Sequence, residues 1–328
     1  TDPCSSRQPT AGQTAAVRAL CVAAGVPTAQ VFTLGVQPNT IIPADFGGNP
    51  NVGEERSDTY TAGVVLTPSF IPGFRLSVDY FSIKLDGAIA QLGGGLNNTL
   101  NLCYNVIQDI NSEFCQAIRR DASTGAITDS NAAQIRQANT GALETSGIDV
   151  ALRHSFDLGF GIGGLGEKTT LEISSDWTWT EKFTSTPVQA FSNIKNRCVG
   201  SFGATCGEPI AEWRGSSRIT LDAGKASLSL RHRYISGVTT DRYLLPLRAG
   251  ATPPALADIS YPKLKAVNYF DLSFTIDPVE NFQFFGGARN IFNTKPPVVG
   301  SPQVRSNTYP ATYDVLGTEF FFGGSVKF

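Results

Sequence analysis

The chain has 328 residues, with 26 Lys and Arg against 28 Asp and Glu, and its formal net charge of -2 gives no basic surface for nucleic acid. Charged residues make up 16% of the chain, whereas soluble domains average about 25%. No segment approaches the ~20 apolar residues of a spanning helix. The composition therefore argues against a fully solvated globule and against a helical membrane protein. The chain has no Met and no signal peptide at Thr1 to Cys4, so we expect a processed or partial product.

Alternating apolar and polar residues predict nine β-strands, most of them paired through short turns. In the first pair, Leu76, Val78 and Tyr80 lie on the face opposite Arg75, Ser77 and Asp79. The strands are predicted, in chain order, at residues 57–67, 74–85, 148–153, 171–179, 213–221, 228–234, 270–276, 282–288 and 318–328.

The connections between these strands alternate between short and long. After a leader at residues 1–56, the short ones are 68–73, 156–167, 222–225 and 277–281, and the long ones are 86–140, 181–210, 237–265 and 293–312. In an up-and-down meander, alternate connections emerge at opposite ends of the sheet. Loops this long are uncommon in compact soluble domains, whereas short turns opposite long extracellular loops are typical of outer-membrane barrels. We therefore predict an all-β protein, an antiparallel transmembrane β-barrel in the bacterial outer membrane.

The six cysteines fall into three local pairs, and all lie in the leader or the long connections. His154 and His232 are the only histidines and there is no C-x-x-C motif, so zinc lacks its usual ligands and spacing. We favour disulfides over free thiols, which places these loops in an oxidising compartment. The expected pairs are Cys4 with Cys21, Cys103 with Cys115, and Cys198 with Cys206.

The charged residues decide which face of the sheet meets lipid. An Arg or Lys on the lipid side costs roughly 2 to 4 kcal/mol near the bilayer midplane, so the polar faces are predicted to line the lumen. His154 and His232 fall on the apolar, lipid-facing side, where a neutral imidazole is tolerated at modest cost. The lumen-facing set is Asp79, Arg153, Glu172, Arg218, Arg231 and Arg289.

The three tryptophans fit the same orientation. Trp177 and Trp179 end a strand that rises toward the long loops, and Trp213 begins one that descends from them. We predict that they form an aromatic girdle at the outer interface. The alternative is a β-sandwich with core tryptophans, which would bury the inward charges in a dry core.

Nine strands do not make a whole barrel, because bacterial single-chain barrels have an even number. A partial sheet leaves unpaired backbone groups that cost several kcal/mol each in hydrocarbon. We therefore expect either that the chain is the C-terminal part of a longer one or that it pairs with a complementary chain.

Several segments, in order, resemble the C-terminal part of the TonB-dependent outer-membrane receptor family. Residues 48–52 (Gly-Asn-Pro-Asn-Val) and 54–60 (Glu-Glu-Arg-Ser-Asp-Thr-Tyr) are similar to a family motif that enters a strand, with Gly53 where the family has Pro. Residues 73–81 resemble its next strand, and residues 288–293 (Ala-Arg-Asn-Ile-Phe-Asn) with Pro296 and Pro297 resemble its penultimate-strand motif. Tyr313, Asp314, Gly317 and the terminal Phe328 resemble its ending.

The resemblance implies a barrel of about 22 strands, of which this chain supplies the last nine. Residues 1–56 would then be an extracellular loop leading into the barrel and residues 57–328 the C-terminal strands and loops, while the family's N-terminal plug and energy-coupling box are absent from this sequence. The implied partners are outer-membrane lipid, a periplasmic energy-transducing protein of the TonB type, the barrel-assembly machinery and an unknown small ligand, with no cofactor. The assembly signal would be the terminal alternation of Phe320, Phe322, Val326 and Phe328.

The long loops are predicted to carry structure of their own. Residues 11–24 have helical spacing, and residues 97–119 are predicted to form a short helical pair, with Ser112 as N-cap for Glu113 to Arg119. Because loops carry recognition, the candidate ligand contacts are Arg242, Tyr243, Arg248 and Tyr261.

An energy-coupled receptor and transporter is the favoured function. The alternatives are a passive outer-membrane porin, which would have no plug sequence upstream, and a secreted or surface β-rich adhesin, which would be soluble without detergent. An enzyme is not expected, because no Ser-centred motif accompanies the two histidines.

Overall fold

The computed structural model describes residues 1–300, 304 and 306–327. Its strands arise where apolar and polar residues alternate, because a pleated strand sends successive side chains to opposite faces. In chain order they are β1 (Ala44–Gly47), β2 (Arg56–Leu66), β3 (Phe74–Gln91), β4 (Ala133–Asp157), β5 (Thr170–Thr186), β6 (Asn196–Arg197), β7 (Ser201–Gly203), β8 (Gly207–Ile210), β9 (Trp213–Asp222), β10 (Ala226–Ile235), β11 (Val238–Thr240), β12 (Lys263–Leu264), β13 (Val267–Val279), β14 (Phe282–Arg289) and β15 (Glu319–Val326).

The main sheet is an up-and-down meander with the order β15-β14-β13-β10-β9-β5-β4-β3-β2. These are the nine strands predicted from the alternation, and they adjoin in chain order. The sheet is unclosed, since no pairing joins β2 to β15 among the described residues. The antiparallel sheet predicted from sequence is thus confirmed.

The register places apolar residues on one face and charged residues on the other. Ile219, Leu230 and Leu272 stand opposite one another on β9, β10 and β13, and each is at least 40% exposed. Arg218, Arg231 and Asp271 form the adjacent row on the other face. The sheet therefore presents exposed aliphatic side chains to one side and charges to the other.

Three strands extend further into the predicted long loops than the alternation indicated. β3 continues to Gln91, β4 begins at Ala133 and β5 runs to Thr186, so the connections predicted at 86–140 and 181–210 are shorter than expected. β4 gains a parallel partner in β1, and β5 gains an antiparallel one in β6. These extensions depend on pairing with distant segments, which local alternation does not detect.

One compact unit comprises residues 1–58, 84–143 and 186–195. It contains the helices α1 (Ala15–Ala23), α2 (Leu96–Asn101) and α3 (Glu113–Gln116), with a π-helical segment at Leu102–Ile107 continuing from α2. Short 3-10 turns lie at Thr10–Gly12, Leu34–Val36, Leu92–Gly94, Asp129–Asn131 and Gln189–Phe191. The helices predicted in both segments are present, and the Ser112 hydroxyl caps α3 by accepting from the Cys115 N–H at 3.3 Å. α3 ends at Gln116, earlier than the predicted Arg119.

The core of this unit contains two disulfides, Cys4–Cys21 and Cys103–Cys115, together with buried side chains from all three helices. Loops therefore pack here as a domain with its own interior, stabilised by burial of apolar surface.

The other compact unit comprises residues 59–83, 144–185 and 196–328. A small sheet of order β12-β11-β7-β8 and a helix α4 (Asp241–Arg248) lie in its long connections, with a 3-10 turn at Leu256–Asp258. Its buried core includes Phe202, Tyr269 and Tyr313. None of the helices in the described part of the chain has the length and apolar character needed to cross a bilayer.

Candidate functional site

A cleft in the second unit is lined by the β7–β8 hairpin, the start of α4 and the segments 259–261 and 299–300. The Cys198–Cys206 disulfide closes the hairpin. Asp241, the first residue of α4, is 3% exposed and its carboxylate accepts the backbone N–H groups of Thr205 at 2.7 Å and Cys206 at 3.1 Å. Gly203 has a φ of +143°, and a Cβ there would overlap the Asp241 carboxylate. The hairpin is thus held against the helix by a buried carboxylate oxygen that accepts two of its backbone N–H groups.

The cleft has a volume of about 340 Å³ and combines polar and apolar walls. Arg242 and Tyr261 supply a guanidinium and a phenol, while Ile259 and Val299 supply aliphatic surface. A guanidinium presents a planar set of donors that suits carboxylate, phosphate or phenolate oxygens. The phenol adds an aromatic face and a further hydroxyl. The cleft is therefore suited to an anionic small molecule with an apolar or aromatic part.

The four predicted ligand contacts do not all lie in this cleft. Arg242 and Tyr261 come together in its lining, although they are far apart in the loop, whereas Tyr243 and Arg248 are not part of it. Arg248 donates to the carbonyls of Arg197 and, at 2.7 Å, of Val199. Burial and the neighbouring Arg197 lower the pKa of Arg248, with Glu212 opposing them. Arg248 therefore anchors the segment that leads into β7, and a ligand role for it or for Tyr243 remains a prediction.

A second polar cluster connects the segment after β14 to the charged face of the sheet. Arg233 on β10 binds Asp271 on β13 at 2.9 and 3.1 Å and Asp314 at 3.1 Å. The Asp314 N–H donates to the Tyr269 hydroxyl at 3.1 Å. The loop after β14 is therefore fastened to the same face that carries the predicted lumen charges.

Asn290 fixes the conformation of residues 288–293, the segment that resembles the family motif. It is fully buried with a positive φ of 49°, its side chain exchanges hydrogen bonds with the backbone of Thr294 at 2.8 and 3.0 Å, and its N–H donates to Asp271 at 2.9 Å. No role is predicted from the sequence for Asp241, Asp314 or Asn290. The family-like segments are the available signal, and they include Asn290 and Asp314 but not Asp241.

The predicted lumen-facing residues lie on the polar face of their strands and several have partners there. Arg153 binds Asp176 on β5 at 2.8 and 2.9 Å, and Arg231 donates to Ser216 at 2.8 Å. Arg289 lies over the Phe321 ring at 5.6 Å. Asp79 accepts a 2.5 Å hydrogen bond from Ser77. Glu172 and Arg218 stand opposite Thr220 and Arg231 in the register. That this face lines a lumen stays a prediction.

The predicted girdle tryptophans form part of an aromatic cluster on the apolar face. Trp179 lies 6.3 Å from Trp213 and Trp177 lies 5.6 Å from Tyr234, measured between ring centroids. His232 stacks on Phe270 at 4.9 Å, and its Nε2 is 2.8 Å from the Asn268 Oδ1. His232 is thus accommodated on an apolar face because it has both an aromatic neighbour and a polar partner.

At the end of the chain, Phe320, Phe322 and Val326 are exposed on β15, at 79%, 81% and 53%. Phe328 lies outside the described residues. The predicted role of these four as an assembly signal stays a prediction. All three predicted disulfides are formed.

The comparisons with known proteins identify the family. A family model described as a TonB-dependent receptor-like β-barrel matches residues 6–291. The chain belongs to this family. Its members are receptors and transporters of the bacterial outer membrane rather than enzymes, and the chain is accordingly an outer-membrane protein. No curated protein sequence matches it.

Several solved structures that resemble the chain are siderophore receptors. A variant of the ferric enterobactin receptor PfeA from Pseudomonas aeruginosa aligns with 85% of the chain at 15% identity and a TM-score of 0.51, and 32% of that receptor is covered. Another PfeA variant, in complex with enterobactin, aligns with 92% of the chain at 15% identity and a TM-score of 0.51, with 36% of the receptor covered. The siderophore receptor PirA from Acinetobacter baumannii aligns with 90% at 14% identity and 0.48, with 35% covered. The chain therefore spans about a third of these receptors' length, and at this identity the likeness establishes the fold alone.

Proposed function

We propose that this chain forms part of the barrel wall of an energy-coupled receptor, which takes up a scarce ligand across the outer membrane through a plugged barrel. The observation that carries the proposal is a loop-built cleft with Arg242 and Tyr261, attached to a meander that has one charged face. In this proposal the energy comes from a periplasmic partner of the TonB type acting through a plug, and the barrel-assembly machinery inserts the strands. Residues 1–56 are a loop leading into the barrel, and residues 57–328 are its strands and loops.

The division of the sheet into two faces supports this orientation. Aliphatic side chains such as Leu230 and Leu272 are exposed although they are apolar, and lipid would cover them. Arg153 and Asp176 are about half exposed on the other face, where they remain hydrated or pair with a polar plug. Lipid-soluble labels should therefore react with cysteines placed at Val150, Leu230 and Phe274 and spare those at Arg231 and Asp271. The reverse pattern would contradict the orientation.

The lining of the cleft favours an anionic ligand, because it offers a guanidinium and a phenol, and the Asp241 carboxylate, the one acid among its described residues, already accepts two backbone N–H groups. One of the PfeA structures holds enterobactin, so ferric siderophores are the first ligand class to test. The identity of the ligand itself remains part of the proposal.

The test uses the full-length protein in an outer membrane that lacks other receptors for the same ligand. A panel of radiolabelled ferric siderophores is offered with and without an intact TonB-type partner. We expect partner-dependent uptake of at least one, and Arg242→Ala with Tyr261→Phe should weaken its binding by about 30-fold, because each of the two lost polar contacts is worth about 1 kcal/mol. Asp258→Ala, an exposed change in the same loop, is the control. Uptake that continues without the partner would favour a passive porin instead.

A further inference from the structure

A second cleft lies at the long-loop end of β13 and β14, outside the loop-built cleft described above. Its volume is about 520 Å³. Residues 263–268 form one side as the chain enters β13, and residues 294–298, which follow β14, form the other. The Thr294 hydroxyl donates to the Asn268 carbonyl at 3.2 Å, which holds the two sides together.

The charge of this cleft is unbalanced. Lys263, Lys265 and Lys295 line it, and none of the described residues that line it is Asp or Glu. All three are exposed. Lys295 donates to the Asn293 amide oxygen at 2.9 Å, while the other two form no side-chain hydrogen bond or ion pair with any residue in the described ranges 1–300, 304 and 306–327. Three neighbouring ammonium groups without a counter-charge attract an anion.

The position of the cleft identifies the kind of anion. Asn268, in its lining, holds His232 at 2.8 Å, and His232 stacks on Phe270 on the apolar face of the sheet. Phe270 in turn contacts Phe292, which is 69% exposed. The cleft lined by Lys263, Lys265 and Lys295, called the lysine cleft below, therefore adjoins the exposed aromatic surface. It lies on the side of that surface that is nearer the long-loop ends of the strands. In an outer-membrane barrel, girdles of aromatic side chains flank the apolar band at both interfaces, and a basic pocket beside such a girdle lies at the level of lipid headgroups.

We propose that the lysine cleft binds the phosphate of a phosphorylated glycolipid in the outer leaflet, with the acyl chains of that lipid lying along the aromatic and aliphatic face below. Free inorganic phosphate presents the same chemical group, but we assign the phosphate in this cleft to a membrane lipid. The site holds a boundary lipid and is separate from the cleft of Arg242 and Tyr261. It depends on the outer-membrane location and not on which ligand is transported.

The experiment measures binding of fluorescent diphosphoryl lipid A to the full-length protein in detergent. A lysine near a lipid phosphate contributes a factor of about five in affinity. We therefore expect Lys263→Gln with Lys265→Gln and Lys295→Gln to weaken binding by about 100-fold. The charge-matched control carries Lys168→Gln, Lys225→Gln and Lys327→Gln at the opposite ends of the strands, and it should bind within about twofold of the parent. Replacing the three cleft lysines with arginine should retain binding, which separates loss of charge from misfolding.

Two further ligands distinguish the sources of phosphate. Dephosphorylated lipid A should bind the parent protein as weakly as diphosphoryl lipid A binds the glutamine variant, and inorganic phosphate should not displace the lipid. The proposal is overturned if the cleft and control variants weaken binding equally, because the effect would then reflect net charge. Full displacement by inorganic phosphate would likewise overturn it, since the cleft would be a free-anion site. Neither result would bear on ligand uptake, which the partner-dependent transport assay measures separately.

Discussion

Removing the carboxylate of Asp2 should open the first compact unit locally. Asp2 and Arg120 lie 118 residues apart, their side chains are each 1% exposed, and the guanidinium binds both carboxylate oxygens at 2.8 Å. Burial alone would lower the pKa of Arg120, but the Asp2 carboxylate and the Tyr104 phenol outweigh it and raise that pKa above its ordinary value. Asp2→Ala therefore leaves a buried guanidinium that stays charged and lacks its counter-ion.

The size of the destabilisation depends on the hydrogen bonds that Arg120 keeps in Asp2→Ala. Leaving one partner of a buried pair uncompensated costs about 3 to 5 kcal/mol, and the remaining bonds to the Gly125 carbonyl at 2.8 Å and the Tyr104 hydroxyl at 3.1 Å favour the lower limit. A loss of about 3 kcal/mol raises the population of the open form by more than about 100-fold.

Hydrogen exchange of the α1 amides and the rate at which a thiol reduces the buried Cys4–Cys21 disulfide both report this opening. The double variant Asp2→Leu with Arg120→Met should recover most of the protection, because it removes both charges and keeps apolar volume. Unchanged exchange in Asp2→Ala, or a double variant no better than the single one, would show that the buried pair does not keep this unit closed.

Three further predictions concern the other unit. Gly203→Ala should destabilise the β7–β8 hairpin by about 2 kcal/mol, because the added Cβ meets the Asp241 carboxylate and the residue has a positive φ. Gly207→Ala also has a positive φ but open space around the added Cβ, so it should destabilise the hairpin by about half as much. Hydrogen exchange of the hairpin amides measures both losses. Asn290→Ala removes a fully buried amide that bonds two backbone groups and should cost about 2 kcal/mol of stability. Folded and heat-unfolded barrels migrate differently on a gel, so the midpoint temperature of that change in migration should fall. An unchanged midpoint would contradict the structural role of Asn290. Burial raises the pKa of Tyr313 to about 12, above the unfolded value near 10. The contribution of the neutral Tyr313 to stability is therefore complete below pH 10 and is lost as the pH rises through 12. In a pH titration of tyrosinate absorbance, Tyr313→Phe should lack one of the tyrosines that ionise at high pH.

Much of the wall of this protein was predictable from sequence because the signal in a strand is local. Ile219 and Arg218 are neighbours in the chain, yet they point to opposite faces, and the pleat alone assigns each to a side. The same locality made the cysteine pairs predictable, since the Cys198–Cys206 bridge closes a separation of only 8 residues. Where Ser112 caps α3, a single hydroxyl and the next three residues were sufficient.

The loops were less predictable because their contacts join segments that lie far apart in the chain. Nothing near Asp241 in sequence indicates that it binds the backbone at Thr205, and nothing near Asp314 indicates Arg233. The parallel pairing that extends β4 down to Ala133 depends on β1, which is some ninety residues earlier.

The nine strands, the two faces of the sheet, the disulfide pairs and the family resemblance were therefore predictable from local patterns in the chain. The folded loops were needed to show that Arg242 and Tyr261 share one cleft while Arg248 anchors the segment before β7, and that three lysines from two loops adjoin the aromatic face. Strand alternation is set by bonded neighbours, whereas a cleft depends on how separate loops fold back and pack against one another.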